Sequence, residues 1–148
     1  MGNILEKKIS SQGWILADGA TGTNLFNMGL QSGDAPEFWN LEFPEKIKKL
    51  YRDSIVAGCD LFLTNSFGGN SSRLALHNAA NRAAELSCLS AELGIEVKKE
   101  FDRDIIMAGS VGPIGELMDP LGPLTFEKAV QIFTEQITGL KEGGVDLV

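Results

Sequence analysis

The stretch Asp60-Leu61-Phe62-Leu63-Thr64-Asn65-Ser66-Phe67-Gly68-Gly69 passes without a break from a short apolar run into a polar, glycine-rich exit. So short a run of aliphatic and aromatic side chains suits a buried strand better than a helix. Working outward, the residues before it change period. From Pro44 the apolar positions Ile47, Leu50, Tyr51 and Ile55 recur at three- and four-residue steps, which predicts an amphipathic helix with Pro44 in its first turn and Gly58 as its stop. Further upstream, Trp14-Ile15-Leu16-Ala17 reads as a first strand ending at Asp18-Gly19. Downstream, the alanine-rich stretch from Ala79 to Leu93 predicts a second helix ending near Gly94. Asp104-Ile105-Ile106-Met107-Ala108 is a third apolar strand leading into Gly109-Ser110-Val111-Gly112-Pro113-Ile114-Gly115. Thr125 caps a third helix carrying Phe126, Val130, Phe133, Ile137 and Leu140, Gly143-Gly144 ends it, and Val145-Asp146-Leu147-Val148 opens a fourth strand.

A unit of strand, polar loop and helix thus repeats, with strand exits roughly 45 residues apart. Alternating strands and helices imply parallel strands joined by right-handed crossovers. Both an open doubly wound sheet and a barrel satisfy that pattern. The barrel is favoured because each of the first three strands leaves into a long polar loop, and barrels gather such loops on one face, whereas an open sheet concentrates them at a switch point. A whole barrel takes about 250 residues, so the expectation is an α/β chain forming the N-terminal half of a TIM (β/α)8 barrel. It comprises about three and a half βα units in one partial domain over residues 1–148, truncated at the fourth strand.

The bulk properties narrow the function. A formal charge of −7 without a basic stripe argues against nucleic acid, whose phosphates need clustered Lys and Arg. There is no apolar run of the ~20 residues a membrane helix requires, and the opening Met-Gly-Asn-Ile-Leu-Glu-Lys-Lys lacks a signal peptide's apolar centre, so a cytoplasmic protein is expected. Cys59 and Cys88 lack the spacing of a zinc site and read as two buried thiols in a reducing compartment.

Chemistry, if present, belongs to the loops. Asp18-Gly19-Ala20-Thr21-Gly22-Thr23-Asn24 joins one carboxylate to two glycines and three small polar side chains, where backbone can approach a ligand and N–H groups can hold an anion. Alternatively these are plain turn residues with Asn24 starting a helix. No Gly-x-Gly-x-x-Gly is present, which disfavours a dinucleotide. An Asp18 nucleophile for phosphoryl transfer resembles the haloacid dehalogenase-type phosphatases, but the second acid that motif wants falls on Ala20. Asn65 can donate and accept hydrogen bonds in the second loop, or merely tie down its own turn. Glu116 adds a carboxylate to the third loop, or a solvated charge.

Taken together, Leu16-Ala17-Asp18-Gly19-Ala20-Thr21-Gly22-Thr23, Leu63-Thr64-Asn65-Ser66-Phe67-Gly68, Gly112-Pro113-Ile114-Gly115-Glu116 and Glu142-Gly143-Gly144-Val145-Asp146 resemble the successive motifs of the homocysteine S-methyltransferase family. The stretch from Asp18 to Gly29 and Gly33-Asp34-Ala35-Pro36-Glu37 look most like its bacterial betaine–homocysteine methyltransferases. The resemblance implies methyl transfer from betaine or a similar small donor to the zinc-bound thiolate of homocysteine, giving methionine. It implies substrate-binding roles for Asp18, Gly19, Gly22, Thr23 and Asn65. It also implies that the zinc cysteines, and a glutamate holding the substrate amino group, lie beyond Val148, so no catalytic or metal-binding residue is assigned here. A chain of this extent is expected to be inactive alone and to need a complementing C-terminal half or self-association, because a half barrel leaves strand edges and apolar faces uncovered. The competing reading is a non-catalytic half-barrel serving as a binding or assembly module.

Three other features have ordinary readings. His77, with no acid nearby in sequence, reads as a surface or helix-start histidine. Trp39 could roof a pocket over a cationic donor, but suits packing beneath the first long loop. Glu45 to Lys49 and Lys98 to Arg103 are solvated helix faces.

Overall fold

The computed structural model describes residues 4–148; the first three residues of the opening stretch lie outside it. The elements before the first named strand are α1 (Ile4–Gln12), α2 (Thr21–Asn27), α3 (Trp39–Glu42, entered through a 3-10 turn at Pro36–Phe38) and α4 (Pro44–Val56). Then come β1 (Leu61–Leu63), α5 (Ser71–Ala75), α6 (Ala83–Lys98), β2 (Ile106–Ala108) and α7 (Phe126–Gly143). No helix among the described residues is long and apolar enough to cross a membrane.

β1 and β2 run parallel, with Leu61 opposite Ile106, Phe62 opposite Met107 and Leu63 opposite Ala108. Ala17 bridges to Leu61 on one flank and Leu147 to Ala108 on the other, both parallel. The four segments therefore lie side by side in chain order, without the reversal that defines a doubly wound sheet. The expected first and fourth strands need correcting in extent: each forms a single bridge and not a run, held beside its neighbour by a few backbone bonds such as the Asp18 N–H to the Leu61 carbonyl and the Gly109 N–H to the Leu147 carbonyl. Aspartates add to the sparse ladder. Asp60 Oδ2 accepts the Leu16 N–H at 3.1 Å, Asp18 Oδ2 the Leu63 N–H at 3.0 Å, and Asp146 Oδ2 the Met107 N–H at 2.7 Å. The unexpected helix α1 closes the entry end of the strands, where Gln12 Nε2 donates to Asp60 at 2.8 Å and Lys8 Nζ lies 3.3 Å from it. It buries no side chain, so its sequence carries no periodic signal.

Alternation along the strands directs Phe62 and Met107 toward the helices, where they join Ile47, Tyr51, Ile55 and Val97 in the main core. The Tyr51 and Phe62 rings lie 5.0 Å apart. The second long helix also departs from expectation. It starts at Ala83 and runs through Gly94 to Lys98, because a Cβ at Gly94 would meet the Met107 sulfur and the Phe62 ring. The glycine sets how closely α6 approaches the strands and does not stop the helix. On α7, Gly139 and Gly143 abut the backbone at Ala84 and Cys88 of α6. The helix ends at Gly144, whose φ of 94° is the left-handed cap. Thr125 caps the start as expected, accepting the Lys128 N–H at 3.2 Å. The opposite face of α7 leaves Phe126, Val130 and Ile137 exposed in one stripe, and Leu16 and Leu63 are exposed along the strands.

A test of this packing compares two glycines. Gly139→Ala drives a methyl into fixed helix backbone and should cost about 1–3 kcal/mol in urea unfolding. Gly94→Ala meets mainly a flexible methionine and should cost less. Equal or reversed costs would show that Gly139 does not set the helix spacing.

Candidate functional site

At the exit ends of the strands the loops after the first two strand segments, with Ser110 from the third, surround a cavity of about 420 Å³. Thr21, Gly22, Glu37, Asn65, Phe67 and Arg73 are among its lining residues.

The second loop is the most firmly built wall. Thr64, Asn65 and Ser66 are buried. The Ser110 N–H donates to Thr64 Oγ1 at 3.0 Å, Ser66 Oγ lies 2.6 Å from Thr64 Oγ1 and donates to the Ser110 carbonyl at 2.8 Å. Gln136 reaches from α7 to the Ser66 carbonyl at 2.5 Å. The Asn65 N–H donates to the Tyr51 hydroxyl at 2.7 Å, and the Asn65 amide donates to the Pro36 carbonyl at 2.8 Å and to Asn40 Oδ1 at 2.9 Å. Asn65 thus lines the cavity, but both its amide hydrogens hold the wall together. Burial pushes the Tyr51 hydroxyl well above its ordinary range.

In the first loop, Asp18 is half-buried. One carboxylate oxygen accepts the Leu63 N–H, and the other, Oδ1, is buried with no hydrogen-bond partner. Desolvation raises its carboxyl above the usual range, against the lowering effect of backbone N–H groups. Gly22 lines the cavity, whereas Asp18, Gly19 and Thr23 do not; Asp18 and Gly19 line a separate pocket shared with Cys59. Asn24 does lie in a helix, α2. Ala20, at φ 57° just before α2, supplies neither a second acid nor a relaxed backbone.

In the sequence Glu37 has no role beyond closing the motif Gly33-Asp34-Ala35-Pro36-Glu37. It is only 3% exposed, and Oε1 accepts the Gly68 N–H at 2.7 Å. Burial raises its carboxyl, opposed by backbone hydrogen bonds and then by the charges of Arg73 and His77. A further sequence signal is a carboxylate among apolar neighbours in Pro36-Glu37-Phe38-Trp39. His77 is half-buried and edge-on to Phe38, with ring centroids 6.0 Å apart. It lines the cavity and faces an acid 40 positions away in sequence, which local reading could not supply. Trp39 is buried in the main core, with the protein's own Lys46 ammonium 4.4 Å from its ring centroid, so packing prevails. Glu116 is exposed and accepts from Ser72 at 2.7 Å.

Neither thiol reaches this place. Cys59 is buried on the entry side of β1, where burial pushes its thiol up to about 11, and Cys88 is half-buried on α6. No group of three His, Cys, Asp or Glu side chains among the described residues could hold a metal ion.

Comparison with known proteins places these observations. The family described as homocysteine S-methyltransferase matches residues 15–148. Methionine synthase from Mycobacterium tuberculosis (strain ATCC 25618 / H37Rv) is 30% identical over 95% of this chain, and that of Mycobacterium leprae (strain TN) is 30% identical over 90%. The chain spans 12% of the length of each. Among solved structures, the oxidized and metallated forms of the Escherichia coli homocysteine methyltransferase MmuM superpose with TM-scores of 0.83 and 0.84 at 24% identity. They cover 99% and 98% of this chain, which spans 56% of theirs.

The raised carboxyls predict a pH signature. Each gives the folded state an excess of bound protons in a window opening at its ordinary value, 3.8 for Asp18 and 4.5 for Glu37, so stability falls as pH rises through that window. Asp18→Asn/Glu37→Gln removes both groups, and its stability relative to the parent should increase between about pH 4 and 7 in urea unfolding. A difference that does not vary with pH would exclude the effect.

Proposed function

The chain belongs to the homocysteine S-methyltransferase family, and we propose that it supplies part of the homocysteine pocket of an enzyme that methylates homocysteine to methionine. The donor is betaine or a similar small methylated cation. The observation that carries this reading is the convergence of loops from successive parallel strands on one cavity at their exit ends, the position that barrels use for their active sites.

In the proposed reaction homocysteine, its thiol proton released to solvent, attacks a methyl carbon of the donor as the thiolate. A carbon–sulfur bond forms, the carbon–nitrogen bond breaks, and its electron pair leaves with the tertiary amine. This chain's residues bind and orient. The unpartnered Asp18 Oδ1 suits the substrate ammonium, since a buried acceptor without a donor gains from acquiring one. Gly22 lets a ligand approach the backbone, and Asn65 keeps the facing wall in place. Gly19 and Thr23 belong to this proposal as exposed positions on the same loop. The described residues do not fit a zinc ion, so no step here is assigned to one, and the metal implied by the resemblance belongs with thiolates supplied from elsewhere. We place the chain as the first half of a (β/α)8 barrel, about three and a half βα units. Its one-sided bridges at Ala17 and Leu147 and the exposed α7 stripe support completion by a complementing half or by self-association. A second reading, a non-catalytic half-barrel that binds or assembles, is favoured by one observation: neither cysteine lies at the cavity.

Isothermal titration of the chain with L-homocysteine tests the site. The expected result is binding that weakens at least tenfold in Asp18→Ala, the scale of a lost charged hydrogen bond. A folded chain that binds no homocysteine would overturn the proposal. Restored methionine formation on adding a thiolate-bearing partner half would decide for the enzyme over the binding module.

A further inference from the structure

The chain has four arginines, and three are engaged. Arg52 forms a two-pronged pair with Glu100 at 2.6 Å, Arg82 another with Glu85 at 2.8 and 2.7 Å, and Arg103 donates to the Ile55 and Cys59 carbonyls at 2.8 and 2.7 Å. The fourth, Arg73, lines the cavity, and among the described residues its guanidinium makes no hydrogen bond or ion pair. Its backbone is nevertheless fixed. The Arg73 N–H donates to the capping Asn70 side chain at 3.0 Å, and Asn70 is fully buried and donates onward to the Pro113 carbonyl at 3.3 Å. A Cβ built at Gly115 would come within 3.4 Å of Arg73 Nη1, which places the guanidinium against the third loop.

The acid best placed to satisfy Arg73 is engaged elsewhere. Glu37 feels the charges of Arg73 and His77, yet it directs Oε1 to the Gly68 N–H and forms an ion pair with neither. His77 lies four positions on from Arg73, its ring set edge-on to Phe38, and lines the same cavity. A permanent planar cation and an imidazole thus border a space in which, among the described residues, no carboxylate forms an ion pair with them. A guanidinium fork matches a carboxylate in geometry as well as charge. The other lining residues set the ligand's size and net charge. Asp34 and Glu37 share the cavity and would repel a dianion such as a phosphate, but they suit a ligand carrying a cation at its other end.

We propose that Arg73, with His77 beside it, is the carboxylate-recognition subsite of this cavity and takes the carboxylate of a small zwitterionic amino acid. This deepens the methyltransferase reading and rests on it. Under that reading the carboxylate belongs either to homocysteine or to an N-methylated amino-acid donor, and the chemistry at Arg73 is the same for both.

The test titrates the full chain and its Arg73→Gln and Arg73→Lys variants with four probes. L-homocysteine is paired with 3-aminopropanethiol, and glycine betaine with choline, the second of each pair lacking the carboxylate. The expected result is a loss of about tenfold to a hundredfold in Arg73→Gln for at least one carboxylate-bearing ligand, with partial recovery in Arg73→Lys and no change for the carboxylate-free partner. A loss confined to homocysteine assigns the subsite to the acceptor, and one confined to glycine betaine assigns it to the donor. If homocysteine binds in an Asp18-dependent way but Arg73→Gln changes neither carboxylate ligand, the subsite is overturned while the methyltransferase reading stands. Equal losses with and without the carboxylate overturn it as well. A folded chain that binds neither homocysteine nor glycine betaine overturns both.

Discussion

Aspartate carboxylates that accept backbone N–H groups from a neighbouring strand are the constraint on which the rest of this molecule depends. Its parallel array has one three-residue pairing, and on either side a single bridge backed by three backbone bonds to the first segment and two to the fourth. Asp60, Asp18 and Asp146 each accept an N–H across to the next segment, and such charge-assisted bonds are about twice as strong as neutral ones. Lys8 and Lys98 pair with Asp60 and Asp146. Asp18 has no such cation. It stands at the exit end, with one oxygen holding Leu63 and the other buried without a partner. The device that joins the strands thereby leaves one buried acceptor unsatisfied among the described residues.

The same economy governs the second loop. A polar loop buried between strands and helices must satisfy every donor it carries, and here Thr64, Ser66, Ser110 and Gln136 satisfy one another while Asn65 is tied to Tyr51, Asn40 and Pro36. A wall fixed by so many internal bonds presents a preformed surface. Asp18 Oδ1 and the Arg73 guanidinium are groups that this network leaves unused among the described residues.

Family membership and the partial span of this chain meet in one physical picture. It matches 134 residues of the family pattern, from 15 to 148, yet spans little more than half of the solved methyltransferases it resembles in fold. The exposed Phe126, Val130 and Ile137 stripe lies on the side of α7 away from α6, where a further helix of the same winding would pack. Cys59 precedes β1 and Cys88 lies on α6, and neither lines the cavity.

By itself the sequence determined the alternation of strand and helix, the parallel sense, the capping of α7 by Thr125 and the polar loops at the strand exits. These follow from local periodicity, turn chemistry and short spacings, which a chain carries in its own order. It also carried the family motifs. Only the tertiary structure decided that Gly94 is a close approach and not a stop, because the atoms that forbid a side chain there come from β1 and β2. It alone revealed α1, which buries nothing and so leaves no periodic trace, and shortened the outer strands to single bridges. It also brought Glu37, Arg73 and His77 to one cavity, and tied one oxygen of Asp18 to the neighbouring strand while burying the other. Each of these depends on residues tens of positions apart, and the distance between such groups is set by packing, which no local pattern encodes.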